Sequence, residues 1–376
     1  MNKKKILLVV PLPPPMHGSN LMNQSVVSCQ ELYEKYTVKV LPLHYATSIA
    51  DIGAIRGGKF FTLGGYLVKL LQLIVTFRPD GVYFVPAITG MSFYRDCLFA
   101  LIFKCFGIHV MYHLHGKGIK NKLDSPFLFK LYRWFFQDAT IIHLSPLLYE
   151  DIQGVVPVNR CTFLPNGIED LYLDLSINEK HANGEPVILF LSNLVPSKGP
   201  VVLLEACRFL KDKGLEFKTY FVGNPSTELT KEIFSETIDR LRLRSHVKYL
   251  GPKYGKDKHE ILAQADILVF PTYFSKEAFP LIVLEAMAAG LPVVSTREGA
   301  IPEIIDDGVT GFIIDKQNPG KLAEKLEYLI SNLDQAKKMG QAGRAKFEQN
   351  YTIEKFYHNL VEIFNEVMGA QDSEVR

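Results

Sequence analysis

The chain has 376 residues, 47% hydrophobic and 22% charged, with a formal net charge of +2. That length suits two domains with substantial cores, and the composition is that of a soluble globular protein rather than a disordered or fibrous one. No apolar run reaches the ~18 residues of a membrane span; the run Cys97–Phe103 stops at Lys104. Cys29, Cys97, Cys105, Cys161 and Cys207 are odd in number, widely spaced and without a C-x-x-C. This predicts reduced thiols in cytoplasm and neither a disulfide frame nor a zinc site.

Lys3-Lys4-Lys5 leads into Ile6–Val10, which is too short for a leader, ends at Pro11 and lacks a small-residue cleavage pattern. It reads as a buried first strand. Leu12-Pro13-Pro14-Pro15-Met16-His17-Gly18 follows as a loop before a helix to about Tyr36. This is a βα turn without G-x-G-x-x-G. Gly18 either admits a close ligand or simply makes the turn. Strands are expected over Val38–Pro42, Val82–Val85 and Val110–His115, with helices over Phe60–Phe77 and Phe93–Phe106. His115 falls at the carboxyl end of its strand, where α/β proteins place ligands. His113 and His115 alternate with Tyr112 and Leu114, which fits a half-buried face equally well. An H-x-H pair also suits a metal, but no third ligand is adjacent, and none is expected to bind. The aromatic helix Phe127–Phe136 carries Lys130 and Arg133, and core packing explains it better than lipid contact. Strands over Ala139–Leu144 and Cys161–Leu164 lead to Pro165-Asn166-Gly167-Ile168-Glu169. The polar stretch Asp170–Pro186, with Asn178, Glu179, Lys180 and Asn183, reads as an interdomain linker.

The alternation then restarts. Val187–Leu191 is a strand, followed by the loop Ser192–Gly199 and a helix with Pro200 at its first position. Lys198 beside that N-terminus brings an ammonium and free backbone N–H groups to one point, as diphosphate binding requires. Tyr220–Asn224 and Val247–Pro252 are strand-to-glycine turns, and His259–Ala265 is a short helix. After the strand Ala265–Phe270 the chain breaks at Pro271. It then opens a helix at Pro280, ends it at Gly290 and Pro292, and resumes as a strand. That helix is apolar all round except for Glu285, so it should be buried. The carboxylate there needs a partner: either a structural hydrogen bond or the hydroxyl pair of a ribose. Glu277 places a second carboxylate eight positions earlier, just ahead of the helix.

The run Glu277-Ala278-Phe279-Pro280-Leu281-Ile282-Val283-Leu284-Glu285, followed by Gly290-Leu291-Pro292-Val293-Val294, resembles the E-x7-E element of the retaining family 4 glycosyltransferases. Pro165–Glu169, the Ser197-Lys198-Gly199-Pro200 loop, Gly299–Ile305 and Asp307–Phe312 are similar to further elements of that family. The resemblance is dense over Val187–Ile314 and sparser over Ile6–Glu169. It implies an α/β chain of two Rossmann-like, doubly wound domains facing across a cleft, the GT-B fold, which the repeated βα alternation supports independently. Residues 1–170 would bind acceptor and 186–350 the nucleotide sugar, with 351–376 a helix crossing back to the first domain. The implied catalytic residues are His115, Glu277 and Lys198. The implied donor-binding residues are Gly18, Asn193, Lys198, Gly223, Phe279, Pro280, Leu281 and Glu285. His115 would approach the transferred sugar or acceptor, and Glu277 would orient the sugar hydroxyls. Two departures stand out: one glycine where the first loop commonly has two, and Asn193 where an arginine is frequent.

The expected activity is retaining transfer of a sugar from a nucleoside diphosphate sugar to a saccharide or lipid-linked saccharide hydroxyl, in bacterial cell-surface polysaccharide synthesis. No cofactor, metal or nucleic acid is expected to take part. A sugar-nucleotide epimerase and a non-catalytic nucleotide-sugar binding protein are the alternatives. Through Asp170 there are 17 basic against 11 acidic residues, and beyond it 25 against 29. The basic first half is compatible with peripheral contact to an anionic inner membrane surface through Lys117, Lys120, Lys122, Lys130 and Arg133.

Overall fold

A computed structural model describes residues 3–14, 17–44, 58–172 and 184–374. Asn178, Glu179, Lys180 and Asn183 of the expected linker, and Pro15 and Met16 of the first loop, lie outside those residues. The chain divides into two units, Met1–Gly167 with Ile353–Arg376, and Ile168–Thr352.

In the first unit six strands form one parallel sheet: β1 (Lys5–Pro11), β2 (Thr37–Leu43), β3 (Gly81–Phe84), β4 (His109–Leu114), β5 (Thr140–His143) and β6 (Cys161–Phe163). The spatial order is β2-β1-β3-β4-β5-β6. Five consecutive residues of β1, Ile6–Val10, are wholly buried. An unbroken apolar strand of this kind belongs in a parallel sheet covered on both faces. One face packs on the helices Gly58–Phe77, Met91–Cys105 and Pro126–Phe136, through Leu70, Phe99, Phe103 and Phe135 among others. The long helix Ile353–Glu374 returns to this unit. There Phe364 stacks on Tyr83 at 5.7 Å, Tyr36 donates to Asn365 at 2.9 Å, and Lys4 donates to the Met368 carbonyl at 2.6 Å.

The second unit repeats the plan with β7 (Val187–Leu191), β8 (Lys218–Val222), β9 (Val247–Gly251), β10 (Ile267–Phe270), β11 (Val293–Thr296) and β12 (Gly311–Ile314). Their order is β12-β11-β10-β7-β8-β9. From β7 the chain builds outward through β8 and β9, then returns to the other side of β7 and builds outward again. The order therefore reverses between β7 and β10. Carboxyl ends at such a reversal open a crevice, and that is where doubly wound sheets bind ligands. The loops leaving these two strands are the ones carrying Lys198 and Glu277.

Several local details differ from the sequence expectations, among them the first helix, which breaks at Cys29 into Gly18–Ser28 and Gln30–Lys35. The helix expected from His259 begins at Gly255, after an extended Tyr254, with Asp257 in its first turn. A carboxylate there favours the positive helix end. Pro280 is the N-cap residue, with ψ 117°, and Leu281 is the first helical residue. A further helix, Lys231–Arg240, follows Thr230, whose side chain accepts from the Ile233 N–H.

Candidate active site

Two loops converge at the strand reversal of the second unit. The β7 loop ends in a 3-10 turn, Pro196–Lys198, and Gly199 then turns into the helix Pro200–Asp212 with φ 86°. A Cβ on Gly199 would lie 2.3 Å from the Pro271 carbonyl oxygen, so the close approach of the two loops requires glycine here. Tyr273 N–H donates to the Ser197 carbonyl at 2.7 Å, tying the β10 loop to the residue before the lysine. On the far side Gly299, with φ 55°, passes so close that a Cβ would sit 2.4 Å from the carbonyl oxygens of Glu277 and Ala278. Ala300 N–H donates to Ala278 at 2.7 Å. Backbone contacts thus fix the loop bearing Glu277 from both neighbours.

Within this frame the Lys198 ammonium donates to Glu277 Oε2. The side chains are 19% and 11% exposed, so the pair is mostly withdrawn from water yet still reachable. The ammonium also lies 4.5 Å from the centre of the Phe274 ring and 5.5 Å from that of Phe270, and both rings favour a cation there. Only Oε2 of Glu277 is used in this pair.

Glu285 projects from the short helix Leu281–Ala288, otherwise entirely apolar. Its partner is Lys258, whose Nζ donates to Oε1 at 2.5 Å from the helix Gly255–Gln264. The reading of a structural partner for this carboxylate therefore holds at one of its oxygens. Tyr172 lies nearby: its ring is edge-on to His259 at 6.0 Å, and its buried hydroxyl has no hydrogen-bond partner. Burial, with the charges of Glu285 and Asp170, pushes that phenol upward. At the end of the Glu285 helix, Arg344 donates to the Ala288 carbonyl at 2.6 Å while pairing with Asp170 and Glu348. A guanidinium there satisfies a carbonyl that the helix end leaves open.

Asn193 and Gly223 join the two remaining loops of this rim. The Asn193 side-chain oxygen accepts from the backbone N–H and the side-chain amide of Asn224, each at 3.3 Å. Gly223 has φ 150°, and a Cβ there would fall 1.9 Å from the Ser192 carbonyl oxygen. Phe279 is buried with its ring 6.0 Å from Tyr351, and Leu281 is half-buried. Lys258, Tyr172 and the two phenylalanines under Lys198 escaped the sequence reading. For Lys258 a signal existed, since a carboxylate on an apolar helix demands a cation, but nothing in spacing says which lysine supplies it.

In the first unit, His115 leaves β4 with its ring centre 4.1 Å from that of His113. His113 Nδ1 meets the Tyr83 hydroxyl at 2.5 Å, and His143 Nδ1 accepts from the Leu144 N–H at 2.9 Å. The Nε2 atoms of His113, His115 and His143 are buried and without hydrogen-bond partners. Burial first, then the neighbouring imidazole His17, depress His115 to about 3; burial and His115 depress His143 to about 3. These rings are neutral at ordinary pH, and His115 can donate or accept a hydrogen bond without carrying charge. His17 is the N-cap residue of the helix Gly18–Ser28, with its Nδ1 3.0 Å from Ser19 Oγ, so Gly18 opens that helix. Among the described residues no group of three or more His, Cys, Asp or Glu side chains is arranged to hold a metal ion.

A folded pKa near 3 against an unfolded value near 6.5 means that the unfolded chain binds the extra proton between these limits. The stability contributed by neutral His143 is complete above about pH 6.5 and declines as pH falls toward 3, by up to about 1.4 kcal/mol per pH unit. Urea unfolding from pH 7.5 to 4.5 should show this fall, and His143→Gln should make it shallower. A slope unchanged in the variant would contradict the assignment.

Residues 174–346 match the profile of the glycosyl transferases group 1. The chain is 27% identical over 284 residues to an uncharacterised glycosyltransferase of Methanocaldococcus jannaschii, covering 73% of this chain and 74% of that one. It is 29% identical over 250 residues to the amylovoran biosynthesis glycosyltransferase AmsK of Erwinia amylovora, covering 65% of this chain and 59% of that one. Among solved structures it is similar to Anabaena HepE in complex with UDP, with a TM-score of 0.72 and 18% identity over 96% of this chain and 100% of that one. The two parallel, doubly wound sheets are those of the GT-B fold. Over residues 174–346 the chain is similar to the group 1 glycosyltransferases.

Proposed function

We propose that the protein is a retaining, metal-independent glycosyltransferase that moves a sugar from a nucleoside diphosphate sugar to a hydroxyl of a saccharide or lipid-linked saccharide. The observation that carries this reading is the Lys198–Glu277 pair at the strand reversal, held there by close backbone contacts. Lys198 and the N-terminus of the helix Pro200–Asp212 supply positive charge for the diphosphate and for the charge that grows on the leaving group. Glu277 orients the sugar hydroxyls through the oxygen that Lys198 leaves, and Glu285 accepts from the ribose through the oxygen that Lys258 leaves. His115, neutral, approaches the transferred sugar or acceptor as a hydrogen-bonding group. Asn193 and Gly223 shape the donor rim through their loop contacts, with Phe279, Pro280, Leu281 and Gly18 lining the donor. No cofactor takes part in this scheme.

A role in bacterial cell-surface polysaccharide synthesis draws support from the likeness to the amylovoran biosynthesis enzyme. The basic first half supports peripheral contact with an anionic membrane from the cytoplasmic side. Among the described residues no helix is long and apolar enough to cross a membrane.

The ribose assignment is checked with two ligands. Glu285→Gln should weaken a ribonucleoside diphosphate about tenfold, the worth of one good hydrogen bond to a charged group, and its 2′,3′-dideoxy counterpart much less. Equal losses would instead mark Glu285 as a support for Lys258. Full transfer activity is expected in EDTA, and a complete loss restored by a divalent ion would contradict the metal-free scheme.

A further inference from the structure

The outward face of the first unit breaks the usual rule for a surface helix. On the helix Met91–Cys105 the exposed residues are Met91, Tyr94, Leu98, Leu101 and Cys105, at helical spacing and without a single charge. Phe106 continues the stripe at its end, 48% exposed. The neighbouring helix Gly58–Phe77 presents Val68, Leu71 and Val75 in the same way, Val68 being 67% exposed. A helix lying on a solvated surface should be polar on its outer side, and contiguous exposed apolar surface marks a contact. The helix Pro126–Phe136 lies alongside, with Tyr132 stacked on Phe93 at 4.3 Å, and exposes Phe127.

The helices of this face carry an excess of positive charge, although the exposed Asp138 follows the last of them beside Lys104. These three helices contain a single carboxylate, Asp96, which is buried and bonded to Arg95 and to the Ala87 N–H. Lys69, Lys130 and Arg133 are exposed, and Lys104 reaches over Trp134 at 5.7 Å. We propose that this face seats the protein on an anionic lipid surface, with Leu98, Leu101 and Val75 entering the headgroup boundary and the cations meeting lipid phosphates. A second copy docked through the same face would bring these cations against their own duplicates, which disfavours a symmetric dimer. The inference rests on the peripheral contact proposed above and relocates it. Lys120, in the basic cluster first assigned to that contact, is already paired with Glu150.

The test is flotation of the full chain with vesicles of phosphatidylcholine alone, or with about a third phosphatidylglycerol. Each is run with wild type, Leu98→Glu/Leu101→Glu, the milder Leu98→Ser/Leu101→Ser, and Lys117→Gln/Lys122→Gln, with thermal melts verifying the fold. Wild type should float with anionic vesicles only. Both leucine pairs should reduce binding tenfold or more, and the lysine pair should reduce it less. No binding of wild type to either vesicle would overturn this inference and the peripheral reading together. Binding by the folded leucine variants equal to wild type would overturn the location alone. Concentration-dependent self-association abolished by the leucine variants, without vesicle binding, would assign the face to a second copy and overturn the proposal.

Discussion

Replacing Glu277 by glutamine should slow sugar transfer about 100-fold or more, worth about 2.7 kcal/mol of barrier, while nucleoside diphosphate affinity is kept. Glutamine preserves the volume and one acceptor, so the loop clamped between Gly199 and Gly299 should keep its path. What changes is charge. The carboxylate shares Lys198 in the absence of donor, and its removal leaves the ammonium free for the diphosphate, whose binding should hold or tighten. A fall in kcat without a rise in the dissociation constant marks a group that acts on the reacting sugar. Equal falls in both would mean that Glu277 only holds the lysine in place.

Lys198→Ala is expected to cost more, and in two currencies. Leaving-group charge grows toward the transition state, so losing the ammonium should lower kcat by about 100- to 1000-fold and weaken the diphosphate as well. It also strands Glu277, 11% exposed, without its cation. Breaking a fully buried pair from one side costs about 3–5 kcal/mol, and less where, as here, water reaches both partners. The double variant Lys198→Ala/Glu277→Gln should therefore recover most of the lost melting temperature and none of the activity. A Lys198→Ala enzyme with normal kcat would reduce the lysine to a structural ion.

The features that repeat along the chain were legible in the sequence. Unbroken apolar strands such as Val187–Leu191 followed by proline- or glycine-marked helix starts pointed to two doubly wound units, and the E-x7-E run drew attention to the loop after β10. Partnership was not legible. That Glu277 meets Lys198, and Glu285 meets Lys258, depends on β10 returning beside β7, a sheet order that local pattern does not encode. Nor did spacing distinguish Gly223, forced by the Ser192 carbonyl, from a glycine that merely turns the chain. The stripe from Met91 to Leu101 has the periodicity of an ordinary core-facing helix, and only burial shows that it faces outward. The helix expected from His259 starts four residues earlier, at Gly255, because the extended Tyr254 sets its boundary.

On the proposed scheme, nucleotide-sugar chemistry takes place at the Lys198–Glu277 pair. The most direct test of that scheme is nuclear magnetic resonance of the purified chain with a panel of nucleoside diphosphate sugars and saccharide acceptors, following the anomeric proton and the phosphorus together. Acceptor-dependent release of nucleoside diphosphate and a product with the donor's anomeric configuration are expected, with both signals appearing about 100-fold more slowly or not at all in Glu277→Gln. A sugar altered while still joined to its nucleotide, or transfer undiminished in Glu277→Gln, would contradict the scheme.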